Sequence, residues 1–221
     1  MKSSVLIVEG NSDVFFFDAL LRVWKISGVA VSPPASVQRV NGKFHAIETL
    51  PIYVKQLLDQ SIDRLAIILD SDTPLTNQVR GVQATLSAVD RKLNEFEFSR
   101  SEVPGGGFVY FSRKNSNAAK IYLWLMPDCK QDGSLEHFVA TQVSGNAIQA
   151  DWYQKAESTV DSIINPLFDP TAHRMKAVTS TWLAWQRYPG NGMQSVVGDG
   201  LIDLDGGMAA SLRAWLTQAF K

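Results

Sequence analysis

The chain has 221 residues, room for one large domain or a domain with an appendage, and its 45% hydrophobic and 19% charged content is that of an ordinary globular fold with a full core. A net charge of -1 excludes a strongly basic nucleic-acid binder while leaving room for a local basic face. The single cysteine, Cys129, excludes an intramolecular disulfide framework and a cysteine-rich zinc site; no stretch approaches the roughly 18 apolar residues of a membrane span, and MKSSVLIVEG lacks a signal-peptide cleavage pattern, so a cytosolic, cytoplasmic protein is expected.

Residues 5–8 read as a short buried strand that stops at Glu9-Gly10. A helix follows to about Lys25, capped by Asn11 or Ser12, with Asp13 in its first turn where a negative charge suits the dipole. Phe16, Leu20, Val23 and Trp24 recur at helical spacing and Phe15, Phe17 and Leu21 widen the stripe, so this helix is expected to be buried on most sides. Residues 27–36, with Pro33-Pro34, read as a loop, residues 37–40 as a short strand, and Asn41-Gly42 as a turn into the next helix. That helix runs over residues 44–60 on Ile47, Leu50, Val54, Leu57 and Leu58, and Pro51 is expected to kink or split it.

Residues 65–72, LAIILDSD, form the strongest strand signal: five apolar residues run straight into Asp70 and Asp72. Thr73-Pro74 starts a new segment, and residues 77–94 read as a long amphipathic helix on Val79, Val82, Leu86, Val89 and Leu93. Residues 102–107, with PGGG, look like a mobile loop; residues 108–111 read as a strand, RKNSN as a polar turn, and residues 119–126 as a third strong strand. Gly133-Ser134 caps a helix beginning SLEHFVATQV. Helices are expected near residues 151–164, 172–185 and 209–220, with residues 188–207 a long loop. Alternation of strands and helices over about the first 142 residues predicts an α/β fold, a mostly parallel sheet flanked by helices, with a largely helical extension over about 143–221.

Two strand ends carry acids, Glu9 after VLIV and Asp70 with Asp72 after LAIIL. In an extended chain residues i and i+2 point the same way, so both aspartates are expected to address one ligand beyond the strand's carboxyl end. Neighbouring strands would bring Glu9 in, and Asp13 joins from the helix entrance or serves only as its cap. Four carboxylates repel unless a cation sits among them, and oxygen-only ligands suit Mg²⁺ or Mn²⁺.

An EGxxD motif after an apolar strand, followed about 60 residues later by an apolar strand ending in DxD, resembles the TOPRIM domain of topoisomerases, bacterial primases, small ribosomal-RNA-maturing ribonucleases, recombination-repair proteins and overcoming-lysogenization-defect nucleases. The matching residues are Glu9, Gly10, Asp13, Asp70 and Asp72. YLWLMPDCKQDGSLEHFV and RMKAVTSTWLAWQ further resemble an uncharacterised family of stand-alone TOPRIM-like proteins, so the likeness spans most of the chain. The resemblance implies a fifth metal ligand at Glu136 and an assisting lysine at Lys176. It implies metal-dependent phosphoryl transfer on DNA or RNA, with Glu9, Asp70, Asp72 and Lys176 catalytic and Glu9, Asp13, Asp70, Asp72 and Glu136 on the metal. A separate ATPase is an expected partner, since the chain has no GxxxxGK[ST], and the resemblance also allows a homodimer.

Other readings stand beside this one. A TOPRIM fold that binds metal or nucleic acid without cutting needs the same acids. VLIVEGNSDVFFFDALL also resembles the start of a response-regulator receiver, but Gly10 stands where a second acid is wanted and no lysine ends the strand at residues 119–126. A haloacid-dehalogenase-like phosphatase on Asp70 and Asp72 meets Pro74 where threonine or valine is wanted. Glu136 also reads as a first-turn acid, Lys176 as a surface lysine and Asp128 as a turn former. His45, His137 and His173 lack metal-ligand spacing, and Trp182, Trp185 and Trp215 read as core. Asp203 and Asp205 lack the closing glutamate of a calcium loop, Leu212 standing there. Arg113 and Lys114 beside Phe108, Tyr110 and Phe111 read as a solvated charged face rather than a nucleic-acid contact.

Overall fold

A computed structural model describes residues 3–34, 42–73, 80–113, 119–143 and 145–221. The expected strand at residues 37–40, Asn41, the start of the helix at 77–79 and Lys114 lie outside them. The elements run β1 (Ser3–Ile7), α1 (Asn11–Val23), β2 (Val29–Ser32), α2 (Lys43–Leu58), β3 (Ile62–Asp70), α3 (Val82–Asn94), β4 (Phe98–Glu102), β5 (Phe108–Ser112) and β6 (Lys120–Met126). Then come α4 (Leu135–Val143), α5 (Ala147–Asp161), α6 (Pro170–Ala184), α7 (Gln194–Gly198) and α8 (Gly207–Phe220).

The six described strands form one sheet in the order β2-β1-β3-β6-β5-β4. β2, β1, β3 and β6 are parallel, and β5 and β4 extend the sheet antiparallel. The chain is thus α/β, with a mostly parallel sheet and a helical C-terminal region. The apolar run Leu65–Leu69 is wholly buried because β3 has parallel neighbours on both sides and helices over its faces. Right-handed crossovers leaving β1 in one direction and returning to β3 in the other put α1 and α2 on opposite faces. α2 and α3 pack together on one face. On the other, Phe16 of α1 meets Phe138 of α4 edge to face, and α8 packs on α4 and β3. Among the described residues no helix is long and apolar enough to cross a membrane.

Several expectations are corrected. The segment 27–36 holds strand β2: VAVS pairs with β1 before Pro33-Pro34 ends it. α1 is not buried on most sides, since Phe15 and Val23 are about half exposed and its buried face is Phe16, Phe17, Ala19, Leu20 and Leu21. α2 passes through Pro51 unsplit; burial of Ala46, Ile47, Leu50, Val54 and Leu57 outweighs the lost backbone bond. β4, unforeseen, buries only Phe98 and so lacks a hydrophobic pattern. The loop at 188–207 contains the short helix α7. The PGGG segment is the tight β4–β5 hairpin, closed by the Gly106 N–H to the Val103 carbonyl at 3.0 Å. Gly107 (φ +83°) lies flat against Trp215 and Trp124, and a Cβ there would overlap the Trp215 ring. Gly106 and Gly107 serve close packing.

Candidate metal centre at the β1 and β3 strand ends

β1 and β3 are parallel with Ile7 opposite Ile67, so Glu9 and Asp70 leave the sheet side by side. Because β2 lies on the far side of β1, the connections diverge between β1 and β3, and ligand sites of open α/β sheets form at such switch points. The Asp70 N–H donates to Glu9 Oε1 at 2.8 Å, tying the two acids together. Asp13, at the third position of α1, accepts the Gly10 N–H at 2.9 Å through Oδ2, so it does cap its helix. Asp70 Oδ1 accepts the Leu135 N–H at 2.9 Å, which docks the start of α4 onto the end of β3. The Ser134 hydroxyl donates to Glu136 Oε2 at 2.6 Å.

Glu9, Asp13, Asp70, Glu136 and Lys176 line one cleft of about 820 Å³. Lys176 comes from α6, far along the chain, and its positive charge bears on Asp13. Asp72 is the exception. β3 stops at Asp70, and Asp72 has φ +59°, so the alternation of an extended strand no longer applies. Asp72 instead lines an adjoining cavity of about 260 Å³. The extended-strand alternation expected to aim both aspartates at one ligand therefore does not hold, while the Asp72 charge still bears on Glu9 and Asp70.

Two residues missed from the sequence hold this turn. Lys43, 9% exposed, donates from Nζ to the carbonyls of Asp70 and Ser71 at 3.0 Å each and to Asp72 Oδ2 at 2.6 Å. Its position on the stripe of Ala46, Ile47, Leu50 and Val54 marked it as inward-facing. Ser71, fully buried, donates to the Met126 carbonyl at 2.8 Å and accepts the Gly133 N–H at 2.8 Å, joining the ends of β3 and β6.

The carboxylates are short of positive charge. Burial, then the nearby Asp72 and Asp13, push Glu9 up to about 8 against the opposing Asp70 N–H bond and Lys43. Burial and Glu136 push Asp13 up to about 6. Burial, Glu9 and Glu136 hold Asp70 well above the usual carboxylate range. Folded Glu9 therefore keeps a proton between pH 4.5 and about 8 that the unfolded chain has lost, so stability must fall as pH rises through that window. In thermal melts with EDTA the melting temperature is expected to fall from pH 5 to pH 9, and Glu9→Gln to flatten the slope; equal slopes would contradict this assignment.

The remaining residues keep structural roles. Burial lowers the His137 pKa, and its Nδ1 lies 3.1 Å from the Ser134 N–H. Trp182 and Trp215 are core, while Trp185 is half-buried against the exposed Trp152. Arg113 donates to Asn94, Arg100 pairs with Asp90, and Phe108 and Tyr110 are buried, so among the described residues no stacking platform forms there. Asp128 caps its own turn, accepting the N–H groups of Lys130 and Gln131. Asp205 pairs with Arg213.

No curated protein and no solved structure matches the chain. A family described as a protein of unknown function (DUF3226) matches residues 3–221. With nearly its whole length matched, the chain belongs to the DUF3226 family.

Proposed function

We propose that this protein is a TOPRIM-like, divalent-metal-dependent phosphoryl-transfer enzyme that cleaves nucleic acid. The observation that carries the reading is the meeting of Glu9, Asp13, Asp70 and Glu136 in one cleft at the β1/β3 switch point, with Lys176 at its wall. The donors are all carboxylate oxygens, the set that suits Mg²⁺ or Mn²⁺. Three of the acids have raised pKa values, so a cation among them would relieve their repulsion. Among the described residues no three His, Cys, Asp or Glu side chains are drawn together tightly enough to hold an ion as they stand. The four carboxylates that line the cleft are nonetheless the residues that would hold it, with Asp72 adding charge from the adjoining cavity.

A bound Mg²⁺ or Mn²⁺ would supply Lewis-acid polarisation of a phosphoryl oxygen and a more acidic water. The chain's own residues do the rest. Lys176 sets a positive charge at the cleft wall, where it offsets charge growing on the phosphoryl group. The Lys43 and Ser71 bonds fix the backbone from which Asp70 projects. A separate ATPase partner, a homodimer and a cytoplasmic setting belong to the same proposal through the TOPRIM resemblance. The test is incubation of single- and double-stranded DNA and RNA with the protein in Mg²⁺ or Mn²⁺. Cleavage that EDTA stops supports the reading. Tight metal-dependent binding of an oligonucleotide without cleavage would favour a non-catalytic module.

A further inference from the structure

The cleft extends beyond its acids. Its volume of about 820 Å³ is in the range that holds a whole small molecule, well beyond a metal ion and one phosphate. One wall is a stripe of α6, where Lys176, Thr179, Ser180, Leu183 and Ala184 recur at the three- and four-residue spacing of one helix face. Along that stripe the chemistry changes from an ammonium, through two hydroxyls, to an aliphatic pair. Leu183 stands about 10 Å along the helix axis from Lys176, close to the reach from a phosphate to the far edge of its base. The segment 190–193, which follows α6 by a short turn, lines the same cleft with Asn191 and Met193 interleaved between two glycines. From Ser180 to Met193 none of the lining residues is charged. A Cβ on Gly190 would meet nothing within 4 Å, so the space beside it is open. The Asn191 backbone N–H donates to the Tyr188 carbonyl at 3.2 Å, while its side-chain amide is bonded to no described residue.

The geometry points to a base subsite at this uncharged end, formed by Leu183, Ala184, Asn191 and Met193, for the base of a nucleotide whose phosphate lies between the acids and Lys176. The inference rests on the proposed reaction and narrows its substrate to a strand with an unpaired base at the point of cleavage. A second phosphate does not suit this end, because no cation lines it. A base does. Aliphatic and thioether groups pack on its face, and the glycines let its plane approach the backbone. The free amide of Asn191 offers both donors and an acceptor to its edge. A base stacked inside a duplex has no access to such a cleft, whereas one in a single strand swings out freely.

The test uses labelled oligothymidylate and oligouridylate of about 12 nucleotides, each with an abasic counterpart that keeps the sugar-phosphate chain. The base-bearing forms are also annealed to their complements. In Mn²⁺ the unmodified protein is expected to cleave a base-bearing single strand with kcat/KM about ten-fold above its abasic counterpart and its duplex. Asn191→Ala and Ala184→Leu are each expected to bring the ratio of base-bearing to abasic strand toward one. The first removes the amide, and the second fills the space with an aliphatic group that a helix accepts. Because the ratio is taken within each protein, a loss of folded material does not imitate the result. Equal kcat/KM with and without bases, a ratio that either variant leaves unchanged, or duplex cleaved as well as single strand overturns the subsite and leaves the proposed reaction standing. If the unmodified protein cleaves nothing, the proposed reaction fails, and anisotropy titration of the same oligomers in Mn²⁺ decides the subsite. Tighter binding of base-bearing than of abasic strands, with the difference lost in both variants, supports it; equal binding, or none, overturns it.

Discussion

Asp70→Asn is expected to lower Mn²⁺-dependent cleavage by about three orders of magnitude, equivalent to roughly 4 kcal/mol of lost transition-state stabilisation. The change is nearly isosteric and leaves the fold its bonds. Asn keeps an Oδ1 that accepts the Leu135 N–H, and the Asp70 backbone N–H still reaches Glu9. Without a cation Asp70 is already held toward its neutral form by burial and by Glu9, so a neutral amide suits this position in metal-free buffer. Stability in EDTA should be equal or higher, while activity collapses. Glu9→Gln should behave alike, because Gln retains an Oε1 acceptor for the Asp70 N–H. The checks are initial rates on the best oligonucleotide together with melting curves. Undiminished cleavage by Asp70→Asn would mean that the activity lies elsewhere or in a contaminant.

Lys43→Met should act in the opposite way, with stability carrying the loss. Methionine fills similar volume, but it leaves the Asp72 carboxylate and the carbonyls of Asp70 and Ser71 without their ammonium donor. Removing one partner of a buried ion pair costs about 3–5 kcal/mol; Asp72 is 30% exposed, and solvent reduces this to roughly 2–4 kcal/mol. Urea unfolding measures it. The double variant Lys43→Met with Asp72→Asn should recover part of the loss, because no buried charge is then left unpaired. A Lys43→Met protein as stable as the parent would show that the turn after β3 holds without the ammonium.

How much of this was legible in the sequence depended on the residue. The β3 core was plain, because five consecutive apolar side chains ended by aspartates suit a strand covered on both faces. The nearness of Glu9 to Asp70 needed strand order, which no local pattern encodes; it followed once β3 returned beside β1. Lys176 lay beyond local reasoning for the same reason, since only the packing of α6 brings it to the cleft. Asp72 misled because alternation holds only while the chain is extended, and the strand ends two residues earlier. Lys43 stayed hidden because lysine is rarely buried, although its place on an apolar stripe was visible. β4 has one buried residue in five and leaves no periodic trace, and Gly106 and Gly107 before β5 carry the signature of mobility while serving close contact with Trp124 and Trp215.

The central claim is that the cleft at the β1 and β3 ends holds a divalent cation on Glu9, Asp13, Asp70 and Glu136. Calorimetric titration of Mn²⁺ near pH 7, in two buffers of different ionisation enthalpy, tests it directly. The account predicts saturable binding with release of protons from the raised acids, and loss of that binding in both Glu9→Gln and Asp70→Asn. No binding by the unmodified protein, or equal binding by all three, would contradict it.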